Sequence, residues 1–317
     1  MGMSNYPGGF ADGVMIRGIP LTMAHPGKVF WVSNASAAQL PGHKTGSDGN
    51  QGTFNDPFAT IDYAIGRCTA SRGDIIFVKP GHSENITAAA GIVSDIAGVA
   101  IVGLGTGSLR PRVRFTTAAT ADWNITAANC SFVNLEFNAN FVDVTAALDI
   151  SGVAGITFES CYFTDTSAVL NFVIVIDTAT GLSDFTINNC KFLGLSAEND
   201  SFLNMVDTTS MTLTNNYLAM SIAQTAVVGM IFSSGNLTGT LIADNYFVSF
   251  VDGANFIDSD GTVNSGVIAR NYFSSADLAG AVTAGFDFSG GHIFESYVAG
   301  EADSYGIIGG GTAYNNA

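Results

Sequence analysis

The sequence predicts an all-β protein that folds as a parallel β-helix, a solenoid of short strands. Three observations support this fold. A six-residue motif recurs along the second half of the chain, its first and last positions are always large and apolar, and the composition is poor in charge. Charged residues make up only 12% of the chain, while Gly occupies 37 of 317 positions. Abundant Gly favours turns, and so little charge disfavours a helical protein with Lys- and Glu-rich faces.

The repeated motif sets the length of one coil. Its copies are Phe132–Phe137, Phe158–Phe163, Ile187–Phe192, Leu213–Leu218, Ile242–Phe247, Ile268–Phe273 and Ile293–Val298. Their last residues are separated by 26, 29, 26, 29, 26 and 25 positions. A repeat of this length without a helical period indicates one turn of a β-solenoid. We interpret Val99–Leu104 as an earlier copy.

The spacing inside the motif predicts a sharp corner. Its two apolar ends are five residues apart, so a single flat strand would place them on opposite faces. A two-residue corner between them returns both to the interior. Asn tolerates the left-handed backbone of such a corner, and its amide can bond to the Asn one coil above. Corners are predicted at Asn188-Asn189, Asn215-Asn216, Asp244-Asn245 and Arg270-Asn271.

Two further stripes complete each coil. The fifth motif position is predicted to face outward and to form a tyrosine stripe along the rod, at Tyr162, Tyr217, Tyr246, Tyr272 and Tyr297. A second apolar stripe precedes each motif and predicts another strand. We align this stripe as Leu148–Ile150, Val175–Asp177, Met205–Asp207, Ile231–Ser233, Phe256–Asp258 and Phe286–Phe288.

A solenoid needs a cap over its first coil, because exposed strand edges aggregate. Pro57–Cys68 has apolar residues at helical spacing, and Asp56 with Pro57 gives a helix start signal. The sequence therefore predicts a capping helix over Pro57–Cys68. The first strand is predicted within Gly73–Pro80, which follows it.

These N-terminal segments resemble a known family. Asp48–Thr53, Asp56–Ile61 and Gly73–Glu84, followed by Glu84-Asn-Ile86, are similar to the start of pectate-lyase-like right-handed parallel β-helices. The resemblance implies a right-handed β-helix with a short capping helix and an extended N-terminal leader. It covers about residues 48–300. Separately, Gly8–Leu21 and Pro26–Asn34 resemble the leader that precedes the β-helix in phage virion proteins.

These resemblances and the repeat divide the chain into three parts. Residues 1–47 are predicted to be a leader that docks the rod, residues 48–298 the capped β-helix, and residues 299–317 a Gly-rich tail. The net charge is −16, and residues 115–317 hold only two basic residues against twenty acids. Such an acidic rod should repel nucleic acid and anionic membranes, so we expect neither as a partner.

The enzymes of this fold act on polysaccharides, and the resemblance implies where their active residues would lie. Pectate lyases combine calcium-binding Asp residues with a catalytic Arg or Lys. The repeat region offers only Lys191 and Arg270, with no acid cluster evident beside them, and polygalacturonase motifs are absent. We therefore expect no enzymatic activity, no cofactor, and no catalytic, cofactor-binding or metal-binding residues.

Several residues could carry chemistry, but each also has a structural interpretation. Asp258 and Asp260 form the best carboxylate pair for a hydrolase, with Asp252 or Asp287 joining from neighbouring coils, but Asp-Ser-Asp-Gly is also an ordinary turn. Glu198 and Asp200 are expected in a solvated loop. Cys161 and Cys190 share a motif position, and together with Cys68 and Cys130 they are expected to stay reduced. The remaining candidates, expected to be structural or isolated, are His25, His43, His82 and His292.

The resemblance to phage proteins carries the functional expectation. We expect a virion structural protein, made in the host cytoplasm, that forms a homotrimer and decorates the capsid by binding the major capsid protein. The tyrosine stripe would then pack between subunits, although aromatic side chains can also stack on sugars. The alternative is a tailspike or receptor-binding β-helix that binds or hydrolyses host polysaccharide. A free polysaccharide lyase is a third possibility, disfavoured by the absence of a visible export signal.

Overall fold

The computed structural model describes residues 15–16, 19–20, 27–34, 44–178, 181–196, 198–220, 230–249, 256–275, 286–299 and 306–308. In this part of the chain the strands stack in parallel and in register as a β-helix of about seven turns. The predicted all-β solenoid is confirmed. Each coil passes through three long sheets, named A, B and C in the order in which the chain visits them. No helix among the described residues has the length and apolar character needed to cross a membrane.

The strands of each sheet come from successive coils. Sheet A contains Val29–Val32, Ile75–Val78, Ala100–Gly103, Ser131–Val133, Thr157–Glu159, Thr186–Asn188, Thr212–Thr214 and Thr240–Ala243. Sheet B contains Ser83–Ile86, Arg112–Phe115, Glu136–Ala139, Tyr162–Asp165, Lys191–Gly194, Tyr217–Met220 and Tyr246–Ser249. Sheet C contains Ile92–Ser94, Trp123–Ile125, Val144–Ile150, Phe172–Thr178, Ser201–Met205 and Ile231–Ser233.

Other elements lie at the ends and edges of the rod. Ile257–Ser275 and Phe286–Ala299 continue all three sheets without a break in strand structure. Gly306–Ile308 pairs antiparallel with the second of these strands. A short fourth sheet contains Leu182–Ser183, Thr208–Thr209 and Leu237–Thr238. Near the N-terminus, Met15–Ile16 pairs antiparallel with Ile19–Pro20.

The apolar ends of the motif form two buried columns, as predicted. Phe132 pairs with Phe158 in sheet A, and their rings stack at a centroid distance of 4.9 Å. Phe137 and Phe163 in sheet B stack at the same distance, with an interplanar angle of 10°. All four rings are fully buried. Neighbouring coils are therefore held together by stacked aromatic rings in the core as well as by backbone hydrogen bonds between their strands.

Two motif copies were misaligned in the sequence. Val99–Leu104 is not a complete copy, because Ile101 pairs with Phe132 and the sixth position is filled by Val113. An inserted loop separates the two halves of the motif in that coil. At the other end, Phe294 rather than Ile293 pairs with Ile268, because the strand has a register irregularity before Tyr272. The shorter final step of 25 residues is the trace of that irregularity.

The corner between sheets A and B is a single left-handed residue followed by a buried one. The third motif position has positive φ in six successive copies, at Asn134, Ser160, Asn189, Asn215, Asp244 and Arg270. The predicted corner is thus confirmed, and it tolerates even Arg270, whose φ is 55°. A left-handed conformation is unfavourable for residues with a Cβ, so the stacked coils must impose it.

The buried corner residues form an internal ladder. Asn216, Asn245 and Asn271 are at most 2% exposed. The side-chain oxygen of Asn245 accepts hydrogen bonds from the backbone N–H of Asn216 at 2.9 Å and from its amide at 2.9 Å. The side-chain oxygen of Asn271 accepts the same two hydrogen bonds from Asn245. Cys190 continues the column, and its sulfur accepts from the N–H of Cys161 at 3.3 Å. The four cysteines are free thiols.

The capping helix is shorter than predicted. It spans Ile61–Ile65, and its N-cap is Thr60, whose Oγ1 accepts from the N–H of Tyr63. The predicted start at Pro57 is wrong because Phe58 forms a parallel bridge with Val32 and so belongs to the sheet. The carboxylate of Asp48 then accepts the N–H groups of Ala59 and Thr60, which holds the chain extended before the helix begins.

The first coil is built partly from the predicted leader. Val29–Val32 pairs in parallel with Ile75–Val78, so sheet A begins within residues 1–47. His82 lies beside the end of the Val29–Val32 strand and is 1% exposed. Its Nδ1 accepts the N–H of Asn34, and its Nε2 lies 3.0 Å from Glu84 Oε2. The contacts of His82 are thus structural, as the sequence led us to expect.

The internal ladder makes a quantitative prediction. Asn245→Ala removes the acceptor of two buried donors of Asn216, and each unsatisfied buried group costs about 1–3 kcal/mol. We expect the free energy of unfolding, measured with urea, to fall by about 3 kcal/mol. Thr209→Ala, at an exposed threonine, is the control and should change it by less than about 0.5 kcal/mol. Equal effects of the two substitutions would contradict a stabilising role for the ladder.

Candidate functional site

One outward-facing column of sheet B contains a series of charged and tyrosine side chains in successive coils. The parallel register places one residue per coil at the same position of the sheet. In order along the rod the column contains Ser83, Arg112, Glu136, Tyr162, Lys191, Tyr217, Tyr246 and Tyr272. Neighbouring members are about 4.8 Å apart, the spacing of hydrogen-bonded strands. Any ligand that lies along the rod would therefore meet these side chains in sequence.

A groove of about 690 Å³ follows the first half of this column, beside the corner between sheets A and B. Its lining includes Arg112, Glu136, Tyr162 and Lys191 from four successive coils. Arg110 and Ser108 reach it from the loop that precedes Arg112. The groove is thus elongated parallel to the rod axis.

The groove is positively charged although the protein as a whole is acidic. Arg112 forms a two-point ion pair with Glu136, with Nε–Oε1 and Nη2–Oε2 distances of 2.7 and 3.2 Å. Arg110 and Lys191 form no ion pair with the part of the chain that the structure describes. Three cations against one carboxylate leave a net charge of +2 in a chain whose net charge is −16. A local excess of one sign concentrates ligands of the opposite sign.

Aromatic rings fix the position of Lys191. Its Nζ lies 5.4 Å from the ring centroid of Tyr162 and 5.5 Å from that of Tyr217, one coil on either side. Ammonium groups are attracted to ring faces at such distances. The Lys191 ammonium is therefore held between two tyrosines with its charge still available to a ligand.

The predicted tyrosine stripe is confirmed for the described side chains and continues beyond Lys191. Tyr217, Tyr246 and Tyr272 are 41%, 49% and 43% exposed, which is high for aromatic residues. The rings of Tyr246 and Tyr272 stack at 4.6 Å with an interplanar angle of 12°. Tyr297 pairs with Tyr272 in register, but its side chain lies outside the described part. Lys191 interrupts the stripe and joins it to the groove.

The sequence did not reveal that Arg110 and Arg112 share a site with Lys191. These arginines lie about eighty residues earlier, before the first complete copy of the motif. They share the groove because Val113 fills the sixth motif position, which places Arg112 in the fifth. The inserted loop in that coil concealed the alignment. Recognising Arg112-Val113 as the end of an interrupted motif would have brought the three cations together.

A second polar column runs along the outward face of sheet C. The register aligns Asn124, Asp149, Asp177 and Asn204 in successive coils. The stripe as aligned from the sequence does not show this column. The strands that contain Asp177, Asn204 and Asp258 pair with their neighbours one or two residues away from the predicted alignment. Only the pairing register decides which residues of an alternating strand share a face.

Two side-chain oxygens of this column lack a donor. Asn124 Oδ1 and Asp149 Oδ1 are buried and accept no hydrogen bond, whereas Asp177 Oδ1 accepts from the amide of Asn204 at 2.8 Å. Burial raises the pKa of Asp177, and the neighbouring charge of Asp149 adds to this, although the Asn204 amide opposes it. Buried acceptors without donors are unfavourable unless a cation or water satisfies them.

The residues of this column fit a calcium ion, the metal that the pectate-lyase resemblance implies. Ca²⁺ prefers carboxylate and amide oxygens, and the unsatisfied Asn124 and Asp149 oxygens are of this kind. Asn124, Asp149 and Asp177 are the residues that would hold it. In the described part of the chain, no group of three acidic, His or Cys side chains is placed to hold a metal. A calcium ion here would therefore need further ligands from solvent or substrate.

The carboxylates predicted from the sequence lie further along sheet C. Asp258 and Asp260 share the outward face of one strand, and Asp287 pairs with Asp258 in the next coil. Asp258 belongs to the same column as Asp149 and Asp177, but Asn204 and Phe232 separate it from Asp177. Asp252, His25 and His43 lie outside the described residues, as does the side chain of His292. Glu198 is exposed, as expected for a solvated loop, whereas Asp200 is half-buried and its N–H donates to Val173 O.

Comparisons with known proteins agree on the fold. No protein-family description and no curated protein sequence matches the chain. Among solved structures, the chain is similar to a rhamnogalacturonan lyase with a TM-score of 0.54 and 12% identity, over 78% of this chain and 69% of that one. It is also similar to a pectate lyase with a TM-score of 0.50 and 12% identity, over 87% and 77% of the two chains. At such identity these similarities establish the β-helix fold alone.

The expectation that the chain has no enzymatic activity is corrected by these comparisons. The rhamnogalacturonan lyase and the pectate lyase are polysaccharide lyases by name. The sequence also indicated too few basic residues near Lys191, because Arg110 and Arg112 share its groove.

The column on sheet C predicts a response to calcium. Millimolar CaCl₂ should raise the melting temperature by at least about 2 °C, because a ligand that binds only the folded state stabilises it. The rise should vanish in Asp149→Asn and persist in Asp260→Asn, an exposed acid outside the column. Since the pKa of Asp177 is raised, the calcium effect should begin to decline at a higher pH than for an ordinary Asp site. An equal rise in both variants would refute a site at this column.

Proposed function

We propose that the protein binds an acidic polysaccharide in the groove of sheet B and cleaves it by β-elimination. The observation that supports this proposal most strongly is the convergence of Arg110, Arg112 and Lys191 on one elongated groove of an acidic protein. Guanidinium groups are well suited to binding uronate carboxylates. Tyr162 and Tyr217 add aromatic surface beside the basic groups. The similarity of the fold to polysaccharide lyases supports the same substrate class.

The side chains of the groove supply the groups that elimination requires. Arg110 and Arg112 bind the carboxylate of one uronate unit and hold the glycan in the groove. Lys191, three coils further along, first releases its ammonium proton to solvent. Its amine then accepts the C5 proton of the uronate beside it, and the electron pair forms a C4–C5 double bond as the C4–O4 bond breaks. The hydroxyl of Tyr162 protonates the departing O4. General acid and base catalysis of this kind typically contributes 10²–10⁴-fold to a rate.

Calcium has no assigned step in this chemistry. The residues that fit calcium lie on sheet C, whereas the basic groove lies on sheet B. A calcium ion on sheet C would supply a cation that can contact an anionic glycan lying against that face. The residues of the groove bind and orient the glycan through their own charges.

The setting we propose is a phage particle, on which the protein would bind host polysaccharide in the manner of a tailspike. The resemblance of Gly8–Leu21 and Pro26–Asn34 to phage leaders supports this setting. The capsid-decoration role, the homotrimer and the contact with the major capsid protein remain predictions from the sequence. Docking through residues 1–47 remains a prediction as well.

The proposed function is tested with purified protein and a panel of polygalacturonate, alginate and hyaluronate, against neutral dextran. We expect one of the acidic polymers to bind and to gain the ultraviolet absorbance of an unsaturated uronate. Arg110→Gln and Lys191→Gln should each weaken binding about tenfold or more, because each removes a cation that contacts the ligand. Lys191→Gln should lower the cleavage rate by about 10²-fold or more.

Arg67→Gln is the matched control, since Arg67 is an exposed cation at the end of the capping helix and away from the groove. It should bind and cleave like the unaltered protein. Equal binding of dextran, or an equal effect of the Arg67 substitution, would contradict the groove as the site. Binding without any rise in absorbance would leave a glycan-binding protein and refute the elimination step.

A further inference from the structure

The groove begins at a loop that interrupts the otherwise regular corner between sheets A and B. In later coils two residues make this corner, as Asn134-Leu135 and Ser160-Cys161 do. In the coil that carries Arg112, residues 104–111 make it instead, and they include the 3-10 turn Gly107–Leu109. The loop therefore projects from the rod at one end of the groove, to which it contributes Ser108 and Arg110.

Hydrogen bonds to both neighbouring coils hold this loop in place. On one side, the N–H of Gly81 donates to Leu109 O at 2.8 Å. On the other side, the amide of Asn134 donates to Gly103 O and Gly105 O at 2.8 and 2.9 Å. Within the loop, the N–H of Arg110 donates to Gly107 O. A segment fixed at so many points forms a stable wall.

The other end of the groove is open in the part of the chain that the structure describes. Beyond Lys191 the column continues as Tyr217, Tyr246 and Tyr272, all more than a third exposed. Lys191 lies three coils beyond Arg112, a distance of about 14 Å at the strand spacing. One pyranose unit lengthens a glycan by about the distance between neighbouring coils. A glycan lying along the column would thus place successive sugars on successive coils.

We propose that the groove receives the end of an acidic glycan chain rather than its middle. The terminal uronate lies against the 104–111 loop, where Arg110 and Arg112 bind its carboxylate, and the following sugars pass Lys191 toward the exposed tyrosines. This inference rests on the proposed function, because it specifies how the same groove selects its substrate. An internal segment of a polymer would have to pass through the wall formed by the loop.

The number of protein copies bound per glycan chain tests this inference. Polygalacturonate, or alginate where that binds better, is fractionated by length and titrated with the full-length protein in an analytical ultracentrifuge. If the protein recognises an end, a single copy should bind each chain whatever its length. If the copy number instead grows in proportion to chain length, the inference is overturned while the proposed function stands. If none of the three acidic polymers of the panel binds, both the inference and the proposed function are overturned.

End-labelled hexasaccharides of the same uronate give a second measurement. A bulky fluorophore on the end that meets the loop should weaken binding by about tenfold or more, and the same label on the opposite end should have little effect. Equal affinity for both labelled forms and the unlabelled form would overturn the inference.

A variant in which residues 104–111 are replaced by Asn-Leu, the corner of the next coil, also loses Arg110 and should bind more weakly, but several copies should bind to each long chain. If that variant does not fold, the copy number of the unaltered protein still decides the question.

Discussion

Each coil of this protein is fixed by the coil next to it, and the rest of the structure depends on that in-register parallel stacking. The left-handed corner residue is unfavourable by itself for any residue with a Cβ. In the later coils the residue that follows the corner turns inward and bonds to its equivalent one coil away, as Asn216, Asn245 and Asn271 do, and this contact stabilises the corner. A coil could not hold this conformation alone. Stability is therefore shared along the rod, as in other repeat proteins.

The same stacking also determines what the surface of the rod presents to a ligand. Every position of a coil belongs to a column that runs along the rod, so the residue types in a column determine what that strip of surface can bind. In sheet B the column changes from charged residues at Arg112 and Glu136 to tyrosines after Lys191. In sheet C the column pairs Asp149 with Asp177. The protein thus presents a basic and aromatic face and a separate acidic face on one scaffold.

Departures from the repeat carry the most specific features of the proposed site. The regular corner leaves the surface between sheets A and B continuous, and a continuous groove has no preferred end. The eight-residue segment 104–111 breaks that regularity and gives the groove both a boundary and the Arg110 side chain. Loops are the usual carriers of function on rigid scaffolds, and the hydrogen bonds of this loop to both neighbouring coils give it the rigidity of the rod.

The sequence by itself determined the coil length, the two apolar columns, the left-handed corners and the outward tyrosines, because each of these is a local pattern repeated with nearly constant spacing. Tertiary structure alone decided the rest. The motif ending at Val113 was hidden, since an insertion separates residues that the fold aligns, and with it the grouping of Arg112 with Lys191. The Asp149 and Asp177 column depends on the pairing register between strands. A change of that register by one residue would move every side chain of the strand to the other face of the sheet. Backbone pairing between coils sets that register, and no pattern within a single coil records it.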